Sequence, residues 1–188
     1  MRVAGFVLVG GRSSRMGQNK ARLRVDTRLL VELIASKVAA VADGVTLIGN
    51  PHAFSDLPFE CLADFRTGLG PLAGLETALS NGRAEFNIVT SCDMPGILPD
   101  DLTRLLTVCR ETQSLCAVAR DADGRTHPLC AVYRGNCLPF VTAALDAGRL
   151  RLLDLLKELN AVEVPIDSIL LNLNTPEEWV AWQAGQMA

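Results

Sequence analysis

An apolar run from Val3 to Val9 ends in Gly10-Gly-Arg-Ser-Ser-Arg-Met-Gly-Gln-Asn-Lys20, a stretch where glycines, hydroxyls and three cations share one loop. Glycines let backbone N–H groups approach an anion closely, and Arg15 and Lys20 can neutralise charge on a polyphosphate. The loop is not a Walker A motif, which needs Gly-Lys-Ser/Thr in succession, because Gly17 is followed by Gln18 and Asn19. A second constellation, Asp64-Phe-Arg-Thr-Gly68-Leu-Gly70-Pro-Leu-Ala-Gly74, places an acid before a glycine-rich turn into a helix. A third, Thr90-Ser-Cys-Asp93-Met-Pro95, closes a buried strand on a single carboxylate. One carboxylate suffices for Mg²⁺, which keeps several waters and takes other oxygens from substrate phosphates.

Gly68, Gly70 and Ala73 also satisfy the relaxed dinucleotide fingerprint G-x-G-x-x-G/A, with Asp93 twenty residues further on as the ribose-binding acid. Against a nicotinamide site, these glycines do not abut a strand, and the strongest cationic loop lies elsewhere. His127 falls in a loop ahead of a strand and suits a positional role better than acid–base work. Trp179 and Trp182 are three apart on the last helix and read as packing residues.

The elements that must hold these loops follow from apolar period. Strands are expected over Val3–Val9, Val45–Ile48, Phe59–Leu62, Phe86–Thr90, Leu115–Ala119, Leu129–Tyr133 and Val162–Pro165. Helices are expected over Leu29–Ala42, Leu72–Leu79, Asp100–Thr112, Asn136–Ala147 and Arg151–Leu159, with the first of them following the cationic loop. Thr175-Pro-Glu-Glu178 supplies an N-cap, a Pro at the first helical position and a Glu at the third, a capping box opening a final helix. Strands alternating with helices imply one α/β domain over residues 1–188: a three-layer sandwich with a mostly parallel, Rossmann-like sheet and its ligand site beyond the strand C-termini.

Composition agrees with a folded chain: of 188 residues, 49% are hydrophobic and 21% charged, so a sizeable core is possible. The net charge is only −3, which gives no broad field for nucleic acid or an acidic membrane. Any anion site must be local, and the first 28 residues supply one candidate, with seven basic residues against Asp26 alone. The six cysteines lack any C-x-x-C pair, and only two histidines accompany them, so reduced, buried thiols in a cytoplasmic protein are expected rather than zinc or a disulfide framework. No apolar run reaches membrane-spanning length.

Taken in order, the opening loop, Gly70-Pro-Leu-Ala-Gly74, Cys92-Asp93-x-Pro95, His127-Pro128 and Asn172-Leu-Asn-Thr-Pro-Glu-Glu178 resemble the molybdenum cofactor guanylyltransferase (MobA-type) nucleotidyltransferases over almost the whole chain. The resemblance implies Mg²⁺-dependent transfer of GMP from GTP to the phosphate of molybdopterin, giving the guanine dinucleotide cofactor and pyrophosphate. It implies that Leu8, Val9, Gly10 and Gly11 line guanine and phosphates, that Lys20 and Asp64 contact GTP, and that Asp93 contacts the nucleotide and holds the metal. Arg15, Lys20 and Asp93 are then the catalytic set, and Arg15, Arg151, Asn172 and Asn174 match pterin-side positions. One departure stands out: where relatives place an Asn near the end of the second strand, this chain has Ile48, with Asn50 two residues on.

The expected substrates are thus GTP and molybdopterin, with transient contact to other molybdenum-cofactor biosynthesis proteins and none to nucleic acid or membrane. Alternatives are a CTP-dependent molybdopterin cytidylyltransferase and a non-catalytic module that binds nucleotide or cofactor. Gly10-Gly11 favours guanine, since relatives that use CTP tend to carry Ala-Gly there. Lys20 together with Asp93 favours turnover, since binding alone needs no metal carboxylate.

Overall fold

The structure, a computed structural model, describes residues 2–10, 19–81, 84–168, 170–173 and 175–186. The chain opens with β1 (Val3–Leu8), whose side chains alternate between the two faces of the sheet: Val3 and Val7 join one core layer, and Ala4, Phe6 and Leu8 the other. Burial on both faces accounts for its unbroken apolar run. A 3₁₀ turn (Lys20–Arg22) and a two-residue hairpin, β2 (Arg24–Val25) and β3 (Arg28–Leu29), precede α1 (Leu30–Ala39). The helix expected after the loop is therefore preceded by a hairpin, turned by Asp26 at φ 52°, a conformation that Asp tolerates better than most residues.

Next come β4 (Gly44–Ile48), β5 (Glu60–Leu62), α2 (Pro71–Ser80), β6 (Phe86–Ser91) and α3 (Pro99–Glu111). They are followed by β7 (Cys116–Arg120), β8 (Thr126–Arg134), α4 (Leu138–Asp146), α5 (Leu152–Glu158), β9 (Val162–Pro165) and α6 (Pro176–Gln186). Seven strands form one sheet in the order β5-β4-β1-β6-β8-β7-β9. It is mostly parallel, with β8 antiparallel to both neighbours. Helices α1, α3 and α6 bury their apolar sides on one face, α2, α4 and α5 on the other, which is the expected three-layer α/β sandwich. The expected capping box opens α6: Glu178 N–H donates to Thr175 Oγ1 at 3.2 Å, and Thr175 N–H donates to the Glu178 carboxylate at 3.0 Å.

Strand β8 begins at Thr126, three residues earlier than its apolar pattern suggests, and this corrects the placement of His127 in a loop. The pairing with β7 jumps between Val118, opposite Ala131, and Ala119, opposite His127. The bulge absorbs Pro128, whose missing N–H cannot serve a regular ladder. His127 is buried in the strand, its Nε2 2.7 Å from the Asp121 carboxylate. Burial opposes ionisation of Asp121, but hydrogen bonds from His127 and the Arg125 N–H, with the His127 charge, hold its carboxyl below the usual range.

Candidate functional site

The chain lays β4 and β5 to one side of β1 and then crosses to place β6 on the other, so the order reverses between β1 and β6. The crevice beyond the carboxyl ends of such a pair is where open α/β sheets bind ligands. A cavity of about 920 Å³ lies there. Backbone bonds fix its floor: Val9 N–H donates to Ile48 O at 2.9 Å, and Cys92 N–H donates to Leu8 O at 3.1 Å.

Leu8, Val9, Gly10, Lys20, Asp64 and Asp93 all line this cavity. Lys20 is delivered by the 3₁₀ turn, whose start is capped by Asn19 Oδ1 accepting from Ala21 N–H at 3.1 Å. Its Nζ lies 3.6 Å from Asp93 Oδ2, with both side chains mostly buried at 14% and 23% exposure. The other Asp93 oxygen accepts from the Ser91 hydroxyl. Its turn is tied down by Leu173 N–H to Asp93 O at 2.9 Å and by Lys37 Nζ to Pro95 O at 2.7 Å. Asp64 is half-buried, and burial raises its pKa.

Two glycines explain the close fit of this wall. Gly70 caps α2 at φ 72° and ψ −161°, a region that is essentially glycine-only, with Pro71 at the helix start. At Gly74 a Cβ would fall 2.9 Å from Leu8 Cδ2 and 3.5 Å from Asp64 Oδ1, so the helix rides against β1 only because no side chain is there. The nicotinamide alternative fails on topology: β5 ends at Leu62, well before Gly68, and β4 and β1 separate it from β6, whose C-terminal end leads into the turn with Asp93. A Rossmann acid ends the strand next to the one before its glycine turn.

Not every expected site residue converges. Gly11, Arg15 and Asn174 lie outside the described residues. Arg151 is exposed at the start of α5 and does not line the cavity. Asn172 is exposed beside the anchored Leu173 and also does not line it. Ile48 does line it, whereas the Asn50 side chain accepts from His52 N–H at 3.1 Å and caps the following turn. Ser91, Asn19 and Leu129 were not singled out from sequence; Asn19 carried a signal, as an N-cap residue type directly before Lys20. All six cysteines are free, five of them buried, and burial pushes the Cys92 thiol up to about 12. That thiol is a packing group at cellular pH.

Glycine turns, a cation and a carboxylate at the switch point of an open α/β sheet define a site of the nucleotide-handling class. The MobA-like NTP transferase domain matches residues 5–163, and the chain belongs to that family. It is 31% identical over 177 residues to a probable molybdenum cofactor guanylyltransferase of Flavobacterium johnsoniae, covering 92% of each chain. It is 30% identical over 187 residues to the molybdenum cofactor guanylyltransferase of a Shewanella species, covering 95% of this chain and 93% of that one. The fold is shared with molybdopterin-guanine dinucleotide biosynthesis protein A from Archaeoglobus fulgidus, with a TM-score of 0.82 over 100% of this chain and 99% of the other at 22% identity.

Proposed function

We propose that this protein transfers GMP from GTP to the terminal phosphate of molybdopterin, releasing pyrophosphate, and that it does so in the cytoplasm, where its free thiols would stay reduced. The observation that carries the proposal is the Lys20–Asp93 pair in the switch-point cavity, in a chain whose relatives include a molybdenum cofactor guanylyltransferase. An acceptor phosphate oxygen attacks the α-phosphorus of GTP, forming a P–O bond as the bond to the β-phosphate's bridging oxygen breaks. A phosphate monoester has a second pKa of about 6, so the nucleophile is already largely ionised at neutral pH. That chemistry requires no general base, and the site residues supply alignment and charge instead.

Roles divide by charge. The Lys20 ammonium faces the triphosphate and offsets charge growing on the leaving pyrophosphate. A carboxylate repels phosphate, so Asp64 belongs at the nucleoside end, where it accepts from N–H or O–H donors of the base or ribose. Leu8, Val9, Gly10 and Gly11 form the bed for the nucleotide, and Arg15, Arg151, Asn172 and Asn174 are assigned to the pterin side.

The donor set fits a metal carried in with substrate. Among the described residues no three His, Cys, Asp or Glu side chains could hold an ion together, while Asp93 offers one hard oxygen facing the cavity. Mg²⁺ is commonly held by one or two carboxylates with waters and phosphate oxygens completing its shell. Bound at Asp93, it would supply Lewis-acid neutralisation of the phosphates.

The test is incubation with Mg²⁺, molybdopterin and each of the four NTPs, with the products identified by mass. GTP is expected to be the preferred donor; equal use of CTP, or no transfer with a competent acceptor, would sink the assignment. Gly10→Ala sharpens it. A Cβ there meets Gly49 Cα at 3.8 Å and Asp64 Oδ2 at 3.9 Å, ordinary contacts that leave the fold intact. The methyl enters the cavity beside Asp64, at its nucleoside end, and one methyl is worth about 1–3 kcal/mol of discrimination. The GTP-over-CTP ratio of kcat/KM is therefore expected to fall roughly tenfold. A constant ratio with both rates lowered would leave Gly10 a role in loop geometry alone.

A further inference from the structure

Helix α2 buries Leu72, Ala73, Leu75, Ala78 and Leu79, yet it also buries the carboxylate of Glu76, 5% exposed. A carboxylate taken out of water is strongly unfavourable unless it is paired. Arg66 Nε lies 2.9 Å from one Glu76 oxygen, and Thr142 Oγ1 donates to the other at 3.1 Å. The same guanidinium reaches Asp146 at the end of α4, 2.6 Å away, so Arg66 is gripped between two helices. One residue earlier, Phe65 N–H donates to Thr77 Oγ1 at 3.0 Å, and the fully buried Thr77 hydroxyl donates to Ala73 O at 3.0 Å.

Both attachments fall directly after Asp64, in the irregular segment that joins β5 to α2 and contains Gly68 and Gly70 at positive φ. Such a segment has little local stiffness, so the position of Asp64 depends on what pins its neighbours. Replacing a buried ion pair by apolar residues is often neutral or stabilising, so a charge at position 76 is poorly explained by stability. It is well explained by register.

We propose that Glu76 is a positioning residue for nucleotide recognition: through Arg66 it fixes the segment that carries Asp64 and so sets affinity for the nucleoside part of GTP. This role rests on the nucleotide site assigned above. Glu76→Gln keeps the size and the Thr142 contact while removing the charge that holds Arg66. The KM for GTP is expected to rise about tenfold with kcat held within about twofold, the signature of lost uniform binding. Calorimetric GTP affinity is expected to weaken by the same factor. Arg66→Lys, which keeps the charge but loses the fork, is expected to give a smaller rise in KM.

A merely structural role predicts the opposite split, since fewer folded molecules lower the apparent kcat and leave KM unchanged. Unchanged KM in Glu76→Gln overturns the proposal, and if that variant does not fold, unchanged KM in Arg66→Lys does so. The two failures are separable. Wild-type protein that binds no GTP removes the nucleotide site and this role with it; wild type that binds GTP, with variants that bind it equally well, removes the positioning role alone.

Discussion

Asp93→Asn is expected to preserve the fold and GTP binding while lowering GMP transfer by roughly a thousandfold, the equivalent of about 4 kcal/mol at the transition state. The substitution is isosteric. Its amide oxygen can still accept from Ser91, and the backbone carbonyl that receives Leu173 N–H is untouched. What changes is charge: a neutral amide is a poor Mg²⁺ ligand, and Lys20 loses the carboxylate 3.6 Å away. Without Mg²⁺, GTP is expected to bind the variant at least as tightly as wild type, because a repelling carboxylate has left the triphosphate's surroundings. With Mg²⁺, the concentration for half-maximal turnover is expected to rise. Near-normal turnover at limiting Mg²⁺ would take Asp93 away from the metal.

The site was legible wherever chemistry stands at the end of a strongly patterned element. β1, buried on both faces, reads as a continuous apolar run, β6 is read from the apolar core of Phe86, Ile88 and Val89, and Gly10 and Asp93 each stand two residues beyond a strand end. Non-local structure was not legible. Two-residue strands such as β2 and β3 are too short to show any period. Pro128 disguised the start of β8, because a proline interrupts a regular strand and only the bulge opposite Val118 and Ala119 accommodates it. Nothing in the sequence singles out Glu76; its burial depends on Arg66, ten residues earlier, and on Thr142 in a helix distant in sequence. Arg151 and Asn172 entered through family resemblance as pterin-side residues, and neither lines the cavity that holds Lys20 and Asp93.

Lys20→Ala is expected to lower kcat/KM for GTP by roughly a hundredfold to a thousandfold, about 3–4 kcal/mol, divided between weaker binding and slower chemistry. Both parts follow from where the ammonium sits. A triphosphate is already highly charged in the ground state, so a cation in a largely buried position contributes to affinity before any bond changes. Charge then builds toward the leaving pyrophosphate, and a group that meets it there favours the transition state over the bound substrate. Calorimetry therefore ought to show weaker GTP binding, and single-turnover kinetics at saturating GTP a slower transfer step. The 3₁₀ turn is capped by Asn19 and closed by Leu23 N–H to Lys20 O, bonds that need no Lys20 side chain, so the backbone is expected to stay in place. Lys20→Arg keeps the charge but spreads it over a larger planar group beside Asp93, and partial recovery of binding is expected ahead of recovery of rate. Unchanged nucleotide affinity in Lys20→Ala would leave the ammonium paired with Asp93 and off the triphosphate, and a normal transfer step would remove it from the leaving group as well.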